Sequence, residues 1–364
     1  MSLEPLLGKT LTELQQVVAD LGLPKFTGKQ IAQWLYQKDI TEINEMTNLS
    51  KVAREKLSEK YCFGTSAHSK VDTSVDGTKK YLYPTSNDNF IESAYIPDKE
   101  RATLCVSSQV GCKMGCLFCM TARMGFNGHL SAGDIINQVR SLPERQNLTN
   151  IVYMGMGEPL MNFDNVVSAV RLMMEDNAYG LSKRRVTLST AGVVPAIDKL
   201  KEVTDVSLAI SLHAPNDELR DQLVPINKRY PIKELIAACN RYLDNLNDRR
   251  VITIEYTLID GVNDLPAHAR ELGKLLKQVP CKLNLIPFNP FPNSGYQRPS
   301  EESIQLFKQL MLKAGVLTTV RRTRGDEIDA ACGQLVGQVE DRTRRSQKYI
   351  PLAEESVVQV IKPV

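Results

Sequence analysis

The chain beyond residue 130 alternates short apolar runs with amphipathic stretches, and this alternation constrains the fold more than any other feature. The apolar runs lie at residues 151–154, 185–189, 206–212, 251–258, 283–287 and 317–320. Helical periodicity marks residues 132–140, 165–174, 232–243, 267–276 and 302–314. Strands that alternate with helices through short connections form βαβ units with a parallel sheet. We therefore predict an α/β fold built on a whole or partial (β/α) barrel.

Polar or glycine-rich residues follow several of these predicted strands. They are found at residues 155–159, at Thr190, at residues 213–216 and at Asn289. Barrels of this kind build their ligand sites at the carboxyl ends of the strands. We expect the functional site there.

The chain before residue 105 follows different patterns. Ile31, Trp34 and Leu35 form one apolar helical stripe, and Ser50 is a candidate N-cap for a helix over residues 51–61. Asp76-Gly77 signals a β-hairpin. The predicted organisation is a helical N-terminal accessory domain (1–65), a β-hairpin extension (66–104), the barrel with a C-terminal loop (105–340) and a basic tail (341–364).

Composition excludes some classes of protein and leaves others open. The chain is 42% hydrophobic and 24% charged, as in ordinary soluble proteins. It has no apolar run of about 18 residues and no signal-peptide pattern, so we expect a cytoplasmic protein without a membrane partner. A net charge of +3 is weak support for an anionic partner. A nucleic-acid role must rest on the basic clusters at 182–185, 321–324 and 342–345, each of which is equally well explained as a solvated face.

Three of the eight cysteines are closely spaced. Cys112, Cys116 and Cys119 form a CxxxCxxC motif in a loop between a predicted strand and a helix. Three thiolates can hold three irons of a cubane cluster and leave the fourth iron open. The alternative is zinc, which needs a fourth ligand, and the nearest candidates, Cys105 and His129, fit no common zinc spacing. We predict one [4Fe–4S] cluster.

This cysteine motif, with Phe118 before its last cysteine, resembles that of the radical S-adenosylmethionine (SAM) superfamily. The resemblance implies that SAM chelates the open iron and is cleaved, after one-electron reduction, to a 5′-deoxyadenosyl radical. Gly157 and Glu158 stand where that superfamily has a Gly-Gly-Glu motif for the methionine amino group, with Met156 in place of the first glycine.

A closer resemblance covers nearly the whole chain. Its segments are 102–112 (ATLCVSSQVGC), 154–160 (MGMGEPL), 182–190 (SKRRVTLST), 211–216 (SLHAPN) and 329–334 (DAACGQ). Together they resemble the bacterial RNA adenine-C2 methyltransferases. The resemblance implies methylation of an adenosine in 23S rRNA, and in some bacteria of the adenosine beside the tRNA anticodon. It also implies two SAM molecules per turnover and a one-electron donor such as flavodoxin or ferredoxin.

The resemblance assigns roles to individual residues of this chain. Cys332 would carry the methyl group. Loss of a hydrogen atom from this group would give a methylene radical, which would add to the electron-poor C2 carbon of the adenine. Cys105 would resolve the adduct and leave a Cys105–Cys332 disulfide, and we expect a low thiol pKa for both cysteines. Glu92, within an apolar strand, would accept a proton; the alternative is a cross-strand salt bridge. The implied SAM contacts are Gly157, Glu158, Ser189, Ser211, Leu212, His213 and Asn289.

Three other functions stay open. The related C8 methyltransferases share the same machinery. An iron–sulfur RNA-binding protein without catalysis would supply four protein ligands to its cluster. Another radical SAM reaction, such as sulfur insertion, would usually need a second cluster.

Overall fold

The computed structural model describes residues 3–86, 89–244, 246 and 248–337. The predicted tail 341–364, with its basic cluster at 342–345, lies outside the described residues. The helices are α1 Leu11–Asp20, α2 Phe26–Tyr36, α3 Lys51–Lys60, α4 Met120–Arg123, α5 Ala132–Arg140, α6 Phe163–Met174, α7 Val194–Val203, α8 Asp217–Leu223, α9 Ile232–Asp244, α10 Pro266–Leu276 and α11 Glu301–Lys313. The strands are β1 Glu4–Pro5, β2 Tyr61–Cys62, β3 Lys70–Thr73, β4 Lys79–Pro84, β5 Phe90–Asp98, β6 Arg101–Cys105, β7 Gln109–Gly111, β8 Phe126–His129, β9 Asn150–Tyr153, β10 Val186–Thr190, β11 Ser207–Ser211, β12 Ile252–Leu258, β13 Cys281–Pro287 and β14 Thr318–Val320.

Helices α1 to α3 form the N-terminal region, which the sequence predicts to be helical, although α1 was not singled out by a pattern of its own. Ile31 and Leu35 are fully buried, and Ser50 caps α3 by accepting a hydrogen bond from the Ala53 amide at 3.2 Å. The short strands β1 and β2, which were not predicted, pair in parallel and close this region. The region is fastened to α5 because the buried Arg140 guanidinium donates hydrogen bonds to the carbonyl oxygens of Leu35 and Lys38, each at 2.9 Å.

A single mixed sheet forms the centre of the molecule. Its strand order is β14-β13-β12-β11-β10-β9-β6-β5-β4-β3. Strands β6 and β9 to β14 pair in parallel, whereas β3 to β5 extend the sheet through antiparallel pairs. The predicted α/β class and the hairpin at Asp76-Gly77 are both confirmed.

The sheet curls so that distant strands meet at their carboxyl ends. Arg321 follows β14 and Met154 follows β9, yet Arg321 Nη1 lies 3.7 Å from Met154 Sδ. These two strands are separated by four others in the sheet order. The curl produces the predicted partial barrel and brings the residues after each strand around one site.

Two barrel helices, α7 and α8, were not predicted. Helix α8 has seven residues, too few to show clear periodicity. Helix α7 begins with Pro195 in its first turn, a position where proline favours the helix. Among the described residues, no helix has the length and apolar character needed to cross a membrane.

Candidate active site

A cavity of about 140 Å³, hereafter the inner cavity, opens at the carboxyl ends of the parallel strands. The predicted site residues that line it are Cys112, Cys116, Cys119, Gly157, Glu158, Ser189, Ser211, His213, Asn289 and Cys332. These residues come from separate strand ends and loops across the chain. The structure therefore brings most of the predicted site together where the barrel rule places it.

The cysteine loop runs from β7 into α4 and is held at both ends. Gly111 has a φ of +75°, and a Cβ there would lie 2.1 Å from the Gly125 carbonyl oxygen, so only glycine fits this close approach. The next residue, Cys112, donates its amide hydrogen to that same oxygen at 2.7 Å. At the other end, the Met120 amide donates to the Gly333 carbonyl oxygen at 2.7 Å. The cysteine loop is thereby joined to the loop that carries Cys332.

Glu158 projects from the loop after β9 and is 3% exposed. Its Oε2 accepts a hydrogen bond from the Ala191 amide at 2.8 Å, and its Oε1 accepts one from the Leu160 amide at 3.1 Å. Burial raises the pKa of Glu158, and these hydrogen bonds oppose the rise. Gly157 before it has a φ of +99°, and a Cβ there would lie 2.5 Å from Gln109 Cβ. The carboxylate is thus fixed in orientation at the cavity wall.

His213 is held as a neutral ring. Its Nδ1 accepts a hydrogen bond from the Thr257 amide at 2.9 Å, which places the ring proton on Nε2. Burial and then the charge of Arg220 lower its pKa to about 3. His213 therefore offers the inner cavity an N–H donor at any physiological pH.

A second cavity of about 520 Å³, hereafter the outer cavity, adjoins the first. Its lining includes Arg101, Arg321, Arg322 and Arg324. Ile286, Asn289 and Cys332 line both cavities. Cys332 therefore stands between a chamber with the cysteine loop and an arginine-rich chamber. Asn289 fixes this position, because its Nδ2 donates to the Cys332 carbonyl oxygen at 3.2 Å.

Comparison with known proteins places this site in a family. Residues 106–272 match the radical SAM superfamily, and residues 5–63 match the ribosomal RNA large subunit methyltransferase N-terminal domain. The dual-specificity RNA methyltransferase RlmN of Marinobacter nauticus is 57% identical over 95% of this chain and 96% of its own length. That of Pseudomonas entomophila is 51% identical over 98% of each chain. This chain belongs to the RlmN family of radical SAM RNA methyltransferases.

A solved structure agrees with this membership. A radical SAM methyltransferase from Sphaerobacter thermophilus superposes with a TM-score of 0.86 at 44% identity, covering 91% of this chain and 99% of that one. Membership in the RlmN family confirms the predicted enzyme class and fold. The superfamily implies SAM and a [4Fe–4S] cluster.

The donor set fits such a cluster. Burial, followed by the charges of Cys112 and Cys119, raises the pKa of Cys116, so a bound cationic group would favour the thiolate form of this cysteine. Among the described residues, no group of three His, Cys, Asp or Glu side chains is arranged to hold one metal ion. Cys105 and His129, the candidate zinc ligands, do not line the inner cavity.

The prediction of a low thiol pKa is wrong for both Cys105 and Cys332. Burial, followed by the charge of Cys332, raises the pKa of Cys105 to about 12. Burial also raises the pKa of Cys332, although Arg321 opposes the rise. In the described part of the chain no cysteines are joined in a disulfide, so the implied Cys105–Cys332 bond is not present in this structure.

Glu92 lies outside the inner cavity and makes the cross-strand salt bridge that was the alternative interpretation. Lys80 Nζ lies 3.3 Å from Glu92 Oε1, and the two side chains are 10% and 9% exposed. Glu92 Oε2 accepts a hydrogen bond from the Val336 amide at 2.8 Å. The carboxylate thereby connects β5 to the segment that follows Cys332.

Leu212 also lies outside the inner cavity, with a fully buried side chain. Its carbonyl oxygen accepts a hydrogen bond from Arg220 Nε at 3.0 Å, and Arg220 also donates to the carbonyl oxygens of Ala191 and Ser211. Arg220, which the sequence did not single out, therefore fixes the ends of β10 and β11.

The two basic clusters within the described residues, 182–185 and 321–324, occupy different faces. Residues 182–185 precede β10 and so lie at the amino end of the sheet, opposite the cavities, and Lys183 there pairs with Asp205 at 2.5 Å. The cluster at 321–324 lines the outer cavity instead. The positive charge of Arg321, its first member, favours the thiolate forms of Cys332 and Cys105 and so acts to lower the pKa of both thiols.

Sequence reasoning missed Arg321 and Glu255 as individual site residues. Glu255 lines the inner cavity and stands in the apolar strand β12, the same signal that identified Glu92. Arg321 follows the end of β14, the position that marked Thr190 and Asn289. Both could have been found by applying these rules to every predicted strand.

Proposed function

We propose that this enzyme methylates C2 of a specific adenosine in 23S rRNA and, in some tRNAs, of the adenosine 3′ of the anticodon. One observation carries the proposal: Cys332 lies between the inner cavity and the arginine-rich outer cavity. A thiol at that junction can receive a methyl group on one side and present it to an RNA base on the other.

The residues of the inner cavity divide the work of holding SAM. Cys112, Cys116 and Cys119 bind the [4Fe–4S] cluster, and Glu158 accepts hydrogen bonds from the methionine amino group. The remaining proposed SAM contacts from the cavity wall are Gly157, Ser189, Ser211, His213 and Asn289, and Leu212, whose side chain lies outside the cavity, is proposed to act through its place between Ser211 and His213. When bound, the cluster and two SAM molecules per turnover supply a methyl group and a 5′-deoxyadenosyl radical.

The outer cavity is the proposed entrance for the RNA. Its arginines attract phosphates, which fix the position of a strand but do not read its sequence. Arg324 is partly neutralised by Asp76 and Asp98, at 3.7 and 3.4 Å, so Arg322 is the more available charge.

Residues 1–65, including α1 to α3, serve as the RNA-docking domain, and residues 66–104 form the extension that carries Glu92.

Two cysteines act in sequence. Cys332 carries the methyl group to C2, and Cys105 then helps resolve the protein–RNA adduct. Cys105 is 4% exposed and packs against Ala94 and Ala330. Ala330 lies two residues before Cys332 in the chain. This packing supports the proposal because it keeps Cys105 beside the Cys332 loop while excluding water. Glu92 is the proposed proton acceptor, provided that it exchanges its Lys80 contact during turnover.

Mapping the methylated carbon tests the function. RNA from a deletion strain complemented with this chain should carry 2-methyladenosine, and a strain complemented with the Cys332→Ala variant should not. A methyl group on C8 would support the alternative regiochemistry. Unmethylated RNA from both strains would support the iron–sulfur RNA-binding alternative. The proposed one-electron donor is a protein such as flavodoxin or ferredoxin, and the proposed location of the enzyme is the cytoplasm.

A further inference from the structure

A separate cavity of about 280 Å³, hereafter the joint cavity, lies between the N-terminal region and the barrel. It is at the amino end of the sheet, because Leu148 and Leu181 in its wall precede β9 and β10. It shares no lining residue with the inner or the outer cavity. Its volume is close to the lower end of the range for small-ligand sites, ~300–1,000 Å³. Its lining residues are Tyr36, Gln37, Val139, Arg145, Gln146, Leu148, Ile151, Ala178, Tyr179 and Leu181.

Tyr179 supplies this wall with a hydrogen-bond donor that has no acceptor. Its hydroxyl oxygen is buried, and no described residue forms a hydrogen bond with it. Burial raises the pKa of Tyr179, and the charges of Arg140 and Arg145 oppose the rise, so the hydroxyl keeps its proton. The hydroxyl of Tyr36, in contrast, donates to the Lys9 carbonyl oxygen at 2.6 Å. Because an unpaired buried hydroxyl costs stability, its presence at a cavity wall indicates a ligand with an acceptor.

The rest of the wall suits a flat, partly apolar group. The ring centroids of Tyr36 and Tyr179 are 5.8 Å apart, with the rings tilted by 48°. Arg145 adds a guanidinium that is 18% exposed, and its ion pair with the 80% exposed Asp39 is of the kind that contributes little. A nucleobase has a flat face and carries acceptors at its edge. Unstacked RNA bases are commonly recognised by stacking on aromatic rings or guanidinium groups and by hydrogen bonds to their edges.

The basic cluster 182–185 directly follows this wall. Leu181 lines the joint cavity, and the amide of Ile151, another lining residue, donates to the Arg185 carbonyl oxygen at 2.8 Å. Arg184 and Arg185 are exposed, and within the described part of the chain no carboxylate lies within 4 Å of either guanidinium. Two exposed arginines beside a cavity of this size fit the phosphates that flank a bound base.

We propose that the joint cavity binds an unstacked nucleobase of the RNA substrate, whose flanking phosphates contact Arg184 and Arg185. Tyr179 and Arg145 donate hydrogen bonds to the edge of the base. The cavity lies at the opposite end of the sheet from the inner and outer cavities, so this contact contributes to RNA affinity and placement rather than to the reaction. The inference goes beyond the proposed function, and it does not depend on which carbon of the adenine is methylated.

RNA binding, rather than turnover, tests this inference. The probe is 23S rRNA purified from a strain that lacks this enzyme, and filter binding gives the Kd of the full-length protein. Tyr179→Phe removes only the unpaired hydroxyl. We expect it to weaken RNA binding about fivefold, equivalent to ~1 kcal/mol. Its thermal stability should equal or exceed that of the wild type, because the variant removes a buried group without a partner.

The matched control is Tyr242→Phe, on α9 and outside the joint cavity. The buried hydroxyl of Tyr242 donates to the Val206 carbonyl oxygen at 2.5 Å. This control should therefore lose stability and bind RNA as the wild type does, the reverse of Tyr179→Phe. Ala178→Leu fills the joint cavity and should weaken RNA binding at least about fivefold, the lower limit expected when one base loses its stacking contact.

The double variant Arg184→Gln with Arg185→Gln tests the phosphate contacts. Each phosphate of a single strand contributes about −0.7 to the slope of log K against log salt concentration, so the slope should become shallower by about 1.4. The control is Lys277→Gln with Lys313→Gln, which removes the same charge from exposed positions near the ends of α10 and α11. This control should keep the wild-type slope.

Three results would overturn the inference. Wild-type RNA binding by Tyr179→Phe would show that no base reaches the hydroxyl, and this variant decides alone if Ala178→Leu is unfolded. Weaker binding of AMP by Tyr179→Phe, with RNA binding unchanged, would assign the cavity to a free nucleotide instead. Failure of the wild type to bind 23S rRNA would also refute the proposed rRNA substrate, whereas the first two results leave the proposed function intact.

Discussion

Replacing Glu92 by alanine should destabilise the protein strongly, because Glu92 connects two parts of the structure from a buried position. Its partner Lys80 is 10% exposed, so the variant leaves a nearly buried ammonium without a counter-ion. Removing one member of a buried pair typically costs about 3–5 kcal/mol. The Val336 amide also loses its acceptor, which adds about 1 kcal/mol. We expect a total of about 4–6 kcal/mol.

Urea unfolding followed by circular dichroism measures this loss. The control is Asp72→Ala, which breaks the exposed Lys70–Asp72 pair, whose side chains are 65% and 31% exposed. Exposed pairs contribute about 0–1 kcal/mol, so the control should differ little from wild type. The double variant Lys80→Met with Glu92→Leu should recover much of the loss, because apolar side chains can replace a buried pair. A Glu92→Ala variant as stable as Asp72→Ala would refute this reasoning.

Four further predictions concern the site and the N-terminal region. Cys116→Ala should bind no [4Fe–4S] cluster and release no 5′-deoxyadenosine, as iron analysis and chromatography of the reaction would show. Cys105→Ala should stall as a ribonuclease-sensitive protein–RNA crosslink, whereas the double variant with Cys332→Ala should form none; normal turnover by Cys105→Ala would contradict these roles. Alkylation of Cys332 by iodoacetamide should accelerate as pH rises towards its raised pKa, and Arg321→Met, which removes a charge that favours the thiolate, should move that profile to higher pH. Deleting residues 1–65 should raise the KM for RNA while SAM-dependent methylation of Cys332 continues.

Local sequence patterns predicted the bounds of several helices and strands to within one residue. The helix α5 is found with the predicted bounds, Ala132–Arg140, and α3 ends one residue before its predicted end. The strand β10 was placed one residue early, because Arg185 precedes the paired segment that begins at Val186. The strands β1 and β2 have two residues each, too few for any alternation to show.

The site was predictable where it depends on strand ends and not where it depends on the curl of the sheet. Ser189, Ser211 and Asn289 lie at or beyond strand ends, and all three line the inner cavity. The basic cluster at Arg321 carries no local sign that its first member turns inwards. Arg321 reaches Met154 only because the sheet curls across four intervening strands. The thiol pKa of Cys105 was mispredicted for the same reason, since its burial is a tertiary property.

The position of Cys332 depends directly on the cysteine loop. Immediately after Cys119, the Met120 amide donates to the Gly333 carbonyl oxygen at 2.7 Å, and Thr121 Oγ donates to the Leu335 carbonyl oxygen at 2.5 Å. These two bonds join the residue pair that follows the last cysteine to the segment that follows Cys332. Any rearrangement of the cysteine loop on binding its irons must therefore move the Cys332 loop with it. The Cys332 thiol and the cysteine loop thus form one mechanical unit, which explains how a thiol on a connecting loop can keep a fixed position at the junction of two cavities.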